Sequence, residues 1–166
     1  LNVFLELLNN ISPPVCYLDS KVIYLKINMN GKAVYRKKYA KYPDKFFKNE
    51  YLNFDCKFEI AKNNFFAIHY YKENTIYLYN TELILEKEVK FRSKYIDEFV
   101  PITDEEKKDR KFFSTQQIER PFYRNLYYDK YRDLYYLQAI HSQKYKNEDG
   151  TLNDIFDRSW SIIVFD

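Results

Sequence analysis

Glycine is scarce in this sequence, which contains 2 Gly among 166 residues. Average usage would place about 12 Gly in a chain of this length, so collagen-like repeats and glycine-rich linkers are excluded. A glycine-rich phosphate-binding loop is excluded for the same reason. The sequence also has no Gly-x-Ser-x-Gly motif, so the usual sequence evidence for a serine hydrolase is missing.

Cysteine is also rare, because Cys16 and Cys56 are the only two. Two cysteines are few for a disulfide scaffold and these lie too far apart in sequence for a zinc site, although a bridge between them stays open. No basic segment precedes the apolar residues Leu1 to Leu8, so no signal peptide is predicted there. Because the first residue is Leu rather than Met, we expect the chain to begin inside a longer protein.

Long apolar runs and a strong net charge are absent as well. No uninterrupted run approaches the length of about 18 residues that a membrane-spanning helix needs. The formal net charge is +3, which is too small to indicate nucleic acid or an anionic membrane. The basic run Arg36-Lys37-Lys38 is interpreted as the protection of an exposed strand edge. We therefore predict no nucleic-acid partner.

Aromatic residues are abundant, with 18 Tyr, 14 Phe and 1 Trp. This much apolar surface favours a folded chain, and the length favours one domain. Short runs in which apolar and polar residues alternate predict half-buried strands. Four such runs follow one another, at residues 52–60, 65–71, 75–79 and 83–91. Joined by tight turns, they predict an antiparallel meander.

The unit recurs along the chain. Residues 22–28, 75–80 and 161–166 are similar β-rich segments that end in Asn or Asp, residues that start turns. A repeat of roughly 40 to 55 residues built from four strands is typical of propeller blades. We therefore predict an all-β fold, a partial β-propeller made of four-stranded antiparallel meander blades.

The predicted organisation is a single partial β-propeller domain over residues 1–166. Residues 1–40 are assigned to the end of one blade, 50–92 to a complete blade and 120–166 to an incomplete one, with inserted loops at 93–119 and 142–158. A six-bladed ring of such units needs about 310 residues, so the chain would span about half of it.

Two local predictions refine this organisation. The third unit contains a hairpin whose strands are residues 122–128 and 134–141. A helix is the competing prediction for residues 104–118, but their apolar positions are too sparse for an amphipathic stripe. That segment is therefore predicted to be a loop with about one helical turn.

A family resemblance rests on residues 121–136, with the sequence PFYRNLYYDKYRDLYY, and on the strands at 75–80 and 160–166 together with Lys41-Tyr42-Pro43. These segments resemble an uncharacterised family of Bacteroidetes proteins, six-bladed β-propellers that are commonly secreted lipoproteins. The resemblance implies an exported protein in the periplasm or at the cell surface. It also implies that the signal and lipid cysteine lie upstream of Leu1, so that the lipid anchor is the expected contact with the membrane. It implies no catalytic residues.

The candidate ligand-binding residues are Arg120, Tyr123 and Arg124. In a propeller the first strand of each blade lines the central channel, so the start of this strand is expected near the channel mouth. Two forked guanidinium groups and a tyrosine ring could bind a carboxylate or a sugar there. The alternative is that Arg124 pairs with an adjacent blade and Tyr123 packs in the core.

Other chemistry-bearing residues have structural interpretations. His69 and His141 have no spacing that indicates a metal site, and Asp129 and Asp133 bracket a turn. Asp154 and Asp157 are expected to be solvated in a loop. We therefore predict no metal, no cofactor and no catalytic residue.

Two classes of function follow. The favoured one is a non-catalytic binding or scaffold propeller at the cell envelope, with a protein, peptide or glycan partner. The alternative is a carbohydrate- or peptide-active enzyme whose catalytic carboxylates lie partly in blades absent from this chain, since glycosidase chemistry needs two carboxylates within about 5 to 10 Å.

Overall fold

A computed structural model describes the backbone of residues 2–6, 20–27, 33–41, 43–49, 51, 56–61, 65–80 and 84–166. The chain divides into two compact units, residues 1–50 and 51–166.

The first unit contains a three-stranded antiparallel sheet. Its strands are β1 (Asn2–Glu6), β2 (Ser20–Ile27) and β3 (Ala33–Lys41), in the order β1-β2-β3, and a short helix α1 (Lys45–Lys48) follows. β3 is therefore an edge strand of this sheet as described. The run Arg36-Lys37-Lys38 lies on β3, which agrees with its interpretation as edge protection.

The second unit begins with the predicted meander. Its strands are β4 (Cys56–Ile60), β5 (Phe66–Tyr70), β6 (Thr75–Tyr79) and β7 (Leu85–Lys90), each antiparallel to the next. All four lie within the strands predicted from the alternation of apolar and polar residues. The predicted residues 52–55 and 83 lie outside the described residues.

A second sheet completes the unit. Its strands are β8 (Phe122–Asp129), β9 (Leu134–Ile140) and β10 (Trp160–Phe165), in the order β10-β9-β8. The predicted hairpin of β8 and β9 is confirmed. Its turn is held by Asp129, whose Oδ1 accepts hydrogen bonds from the backbone N–H groups of Tyr131 and Arg132 at 2.9 and 3.2 Å. Asp133 adopts the left-handed conformation, with φ 58°.

The two sheets pack face to face, with β8 next to β4. Their shared core contains buried side chains from both sheets, namely Ala61, Ala67, Ile76, Tyr123, Leu126, Tyr128, Tyr135, Leu137 and Ala139, together with Ile96 from the segment between them. The fold is therefore all-β, and two consecutive meanders stack as a partial propeller does.

The opposite face of the β8–β10 sheet is largely uncovered. The register places Arg124 beside Gln138 and Ile162, and Tyr127 beside Tyr136 and Val164. We call these six residues, with Trp160, the outer face. Four of its apolar side chains are more than half exposed: Tyr127 58%, Trp160 57%, Ile162 52% and Val164 52%.

The segment before β8 differs from its prediction. Residues 104–118 were expected to form a loop with about one turn, but a 3₁₀ turn (Glu106–Lys108) is followed by a ten-residue helix α2 (Arg110–Glu119). Asp109 caps the helix by accepting a hydrogen bond from the backbone N–H of Lys111 at 2.8 Å, a common way to start a helix. Few apolar side chains of α2 are buried, and Ile118 is the one with 6% exposure. The alternation of apolar and polar residues therefore did not predict this helix.

Candidate functional site

Arg120, the first predicted site residue, directly follows α2 and is 9% exposed. Its Nη1 donates to the carbonyls of Val100 and Pro101, both at 2.9 Å. Its Nη2 pairs with Glu106 Oε1 at 2.9 Å, and its Nε donates to Gln116 Oε1 at 2.7 Å. These partners use four of the five N–H donors of the guanidinium, so Arg120 connects the segment before α2 to the end of the helix.

Arg158 is a second buried arginine, which the sequence reasoning did not single out. It is 5% exposed and donates to the carbonyls of Gln117 at 2.6 Å, Arg120 at 2.9 Å and His141. Its guanidinium lies 5.1 Å from the centre of the Phe122 ring. Burial lowers the pKa of Arg158 to about 10, so the group stays charged near neutral pH. The sequence predicted only that Arg158 lies at the end of the loop at residues 142–158.

Lys72 brings a third buried cation to this region. It is 3% exposed, and its Nζ donates to the carbonyl of Pro121 at 2.6 Å. The ammonium lies 5.6 Å from the Phe99 ring centre and 5.4 Å from that of Phe122. Burial lowers the pKa of Lys72 to about 7, and two neighbouring arginines act in the same direction. The contacts join the β5–β6 turn to the start of β8.

Tyr123 is completely buried between the two sheets. Its backbone N–H donates to the carbonyl of Tyr71 at 2.9 Å. Its hydroxyl donates to Asn74 Oδ1 at 2.9 Å and accepts the backbone N–H of Ser93 at 3.3 Å. The ring meets that of His69 edge to face at 5.4 Å. Burial raises the pKa of Tyr123 to about 12.

Arg124 is the exposed member of the predicted set and belongs to the outer face. The register of β8 shifts between Arg124 and Leu126. Asn125 adopts a left-handed conformation there, with φ 50°, and its Nδ2 donates to Gln138 Oε1 at 2.9 Å. A bulge of this kind redirects the side chains next to it.

The structure does not bring the three predicted residues to one opening. Successive side chains of a strand point to opposite faces, so Tyr123 enters the core while Arg124 faces outward. Arg120 precedes the strand and is enclosed by the segment before α2. Ligand binding by these residues stays a prediction, with Arg124 as the accessible group.

The histidines lie in separate environments. His69 is buried, with Nε2 hydrogen-bonded to the carbonyl of Glu73 at 2.8 Å. His141 bonds Ser161 Oγ through Nε2 at 2.9 Å and stacks on Tyr95 at 4.2 Å. Within the described ranges, no group of three or more His, Cys, Asp or Glu could hold a metal ion. Cys56 is buried and Cys16 lies outside the described residues, so a bridge between them is untested.

Three of the carboxylates named from the sequence, those of Asp129, Asp154 and Asp157, accept hydrogen bonds from backbone N–H groups. Asp129 holds the β8–β9 turn and pairs with Arg132 at 2.7 Å. Asp154 and Asp157 form a reciprocal cap on the 3₁₀ turn Ile155–Asp157. Turn and cap formation explains both groups.

Comparison with known proteins gives a match of fold. No protein-family model matches the chain, and no curated protein matches it. Among solved structures, it is similar to the crystal structure of a member of the DUF4221 family from Bacteroides vulgatus, with a TM-score of 0.65 and 17% identity. The match covers 87% of this chain and 40% of that chain.

At this level of identity the likeness shows the fold. It agrees with the expected resemblance to Bacteroidetes proteins, and this chain spans 40% of the length of its neighbour. In the described part of the chain, no helix is long and apolar enough to cross a membrane.

Proposed function

We propose that this chain is part of a longer, exported six-bladed propeller that acts as a non-catalytic binding or scaffold module at the cell envelope. The outer face carries this proposal, because it exposes four large apolar side chains around Arg124. A sheet face of this composition fits a protein surface such as the next blade. The neighbour of known structure, of which this chain covers 40%, supports a longer polypeptide.

The internal contacts favour a scaffold over an enzyme. Arg120 and Arg158 donate to backbone carbonyls, and the hydroxyl of Tyr123 links β8 to Asn74. Asp129 is held by its own turn. Groups engaged in this way stabilise the fold and have little freedom to take part in chemistry.

The proposed partner is a protein, peptide or glycan, as expected for a module that presents loops and a central channel. The lipid anchor and the location in the periplasm or at the cell surface rest on the family resemblance of residues 121–136. Arg124 is the residue of this chain proposed to contact the partner. It lies on β8, the edge strand expected beside the central channel, whereas the next blade is proposed to cover the apolar side chains on β10, at the opposite edge of the sheet. Tyr123 and Arg120 are proposed to support its position from the core.

The test uses the full-length protein and the variant Arg124→Ala, with Tyr131→Ala as a control because Tyr131 is 87% exposed at a distant hairpin tip. Binding to a panel of envelope glycans and peptides is measured by calorimetry, and the melting temperature by circular dichroism. Weaker binding at an unchanged melting temperature is expected for Arg124→Ala only. A lower melting temperature with unchanged binding would assign Arg124 to packing, and hydrolysis of any panel member would overturn the non-catalytic proposal.

A further inference from the structure

Three apolar side chains protrude from the loop at residues 142–158. Leu152 is 60% exposed, Ile155 41% and Phe156 91%. Single exposed apolar residues are common on protein surfaces. Three of them in one short segment, with a phenylalanine almost entirely in solvent, are typical of an interaction site. We call Leu152, Ile155 and Phe156 the apolar tip.

The first half of this loop is a closed turn. The backbone N–H of Asn147 donates to Thr151 O, and that of Asn153 to Tyr145 O, both at 2.9 Å. The side chains of Asn147 and Asn153 bond each other at 2.8 and 3.0 Å. Gly150 allows the reversal, with φ 89°, a conformation that glycine adopts without strain.

The second half is fixed by the cap and by Arg158. The backbone N–H of Phe156 donates to Asp154 Oδ1 at 2.9 Å, and that of Asp154 to Asp157 Oδ2 at 3.1 Å. Arg158 then connects the end of the loop to the carbonyl of Gln117 in α2 and to that of His141, the residue after β9. An apolar tip on a prearranged backbone loses little conformational freedom when a partner binds, which favours affinity.

The exposed charges of the loop that carries the apolar tip are mainly negative. Four exposed carboxylates belong to the loop, at Glu148, Asp149, Asp154 and Asp157, against the ammonium groups of Lys144 and Lys146. Hydrogen bonds from Thr151 hold the pKa of Asp149 below its usual range. The buried Arg158 is used internally. Charge complementarity across an interface selects partners and speeds their encounter.

We propose that the apolar tip is a preformed docking site for a cationic amphipathic polypeptide, in which Lys or Arg residues flank apolar side chains. This inference rests on the proposed binding function and names the partner class and the surface. The apolar residues of the partner cover Phe156 and Ile155, while its cations face the carboxylates of the loop. A second copy that docks through the same loop is a poorer fit, because two negative loops would then face each other.

The test uses the full-length protein and three fluorescein-labelled synthetic peptides of equal length: Leu/Lys, Leu/Glu and Ser/Lys. Anisotropy titrations are run at low and at physiological salt. The double variant Ile155→Ser/Phe156→Ser removes apolar contact, and Glu148→Lys changes the charge without touching the cap. Tyr131→Ser is the matched control, an exposed aromatic on the β8–β9 turn.

We expect the Leu/Lys peptide to bind about tenfold more tightly than either other peptide, as the loss of one good contact would predict. The double variant and Glu148→Lys should each weaken the binding of the Leu/Lys peptide severalfold, and physiological salt should weaken it further. Equal binding of Leu/Lys and Leu/Glu, or unchanged binding by the double variant, would overturn the inference. Self-association lost in the double variant would assign the tip to a second copy. If the apolar tip binds no peptide but the protein still binds a member of the envelope panel in a way that depends on Arg124, this inference fails and the proposed function stands.

Discussion

Lys72 makes stability depend on pH in a direction that can be measured. Its pKa in the folded protein is about 7, whereas an unfolded lysine titrates near 10.4. Between these values the unfolded chain binds more protons, so the free energy of unfolding rises with pH, by at most about 1.4 kcal/mol per pH unit. Urea unfolding from pH 7 to 9.5 should show this rise, and Lys72→Met should remove most of it.

Buried tyrosines limit the pH range over which the free energy of unfolding rises. Burial raises the pKa of Tyr123 to about 12, so the folded state binds more protons than the unfolded state above about pH 10 and stability then falls. Lys130→Met provides the control, because Lys130 is exposed on the β8–β9 turn. An equal slope in the Lys72→Met protein would contradict the assignment to Lys72.

The chemistry of the individual residues was only partly predictable from the sequence. Alternation along β8 was visible, and it is the reason that Tyr123 and Arg124 point in opposite directions. The burial of Arg120 and Arg158 was not visible, because their partners are carbonyl groups that the topology brings near. A sequence pattern shows which side chains are charged but not which backbone groups surround them.

The junction between the two sheets should depend strongly on one hydroxyl group. Tyr123→Phe keeps the ring but leaves Asn74 Oδ1 and the backbone N–H of Ser93 without this partner. Loss of a buried hydrogen-bonding group costs about 1 to 3 kcal/mol. We expect a decrease of that size in the free energy of unfolding, measured by urea denaturation. Tyr131→Phe should change it by less than about 0.5 kcal/mol, and equal effects would show that the hydroxyl of Tyr123 contributes nothing specific.

At the level of strands and helices, the alternation of apolar residues predicted β4 to β10 to within a few residues. This worked because each strand buries one face, so a period of two is imposed on its sequence. Helix α2 was missed because it buries few apolar side chains and is stabilised by a cap at Asp109. Capping depends on one residue, which a periodic pattern does not detect.

The edge strands β7 and β10, one from each sheet of the second unit, differ in a way that bears on the whole molecule. β7 carries alternating charges at Glu86, Lys87, Glu88 and Lys90, which oppose pairing with another strand. β10 has no charged residue from Trp160 to Phe165. An uncharged edge strand with exposed apolar side chains is a template for a further strand, as expected if β10 lies inside a larger ring.

Thiol labelling at Ile162 tests whether another blade covers the outer face in the longer polypeptide. Ile162 is 52% exposed on the outer face, and Tyr131 is 87% exposed at the hairpin tip. In the 166-residue chain, Ile162→Cys and Tyr131→Cys should react with a maleimide at similar rates, after correction for the unmodified protein. In the longer polypeptide, we expect Tyr131→Cys to stay fast and Ile162→Cys to slow at least tenfold, because another blade covers its face. Rapid labelling at both positions would show that the outer face stays open to solvent in the longer polypeptide, which would contradict the expected cover by another blade.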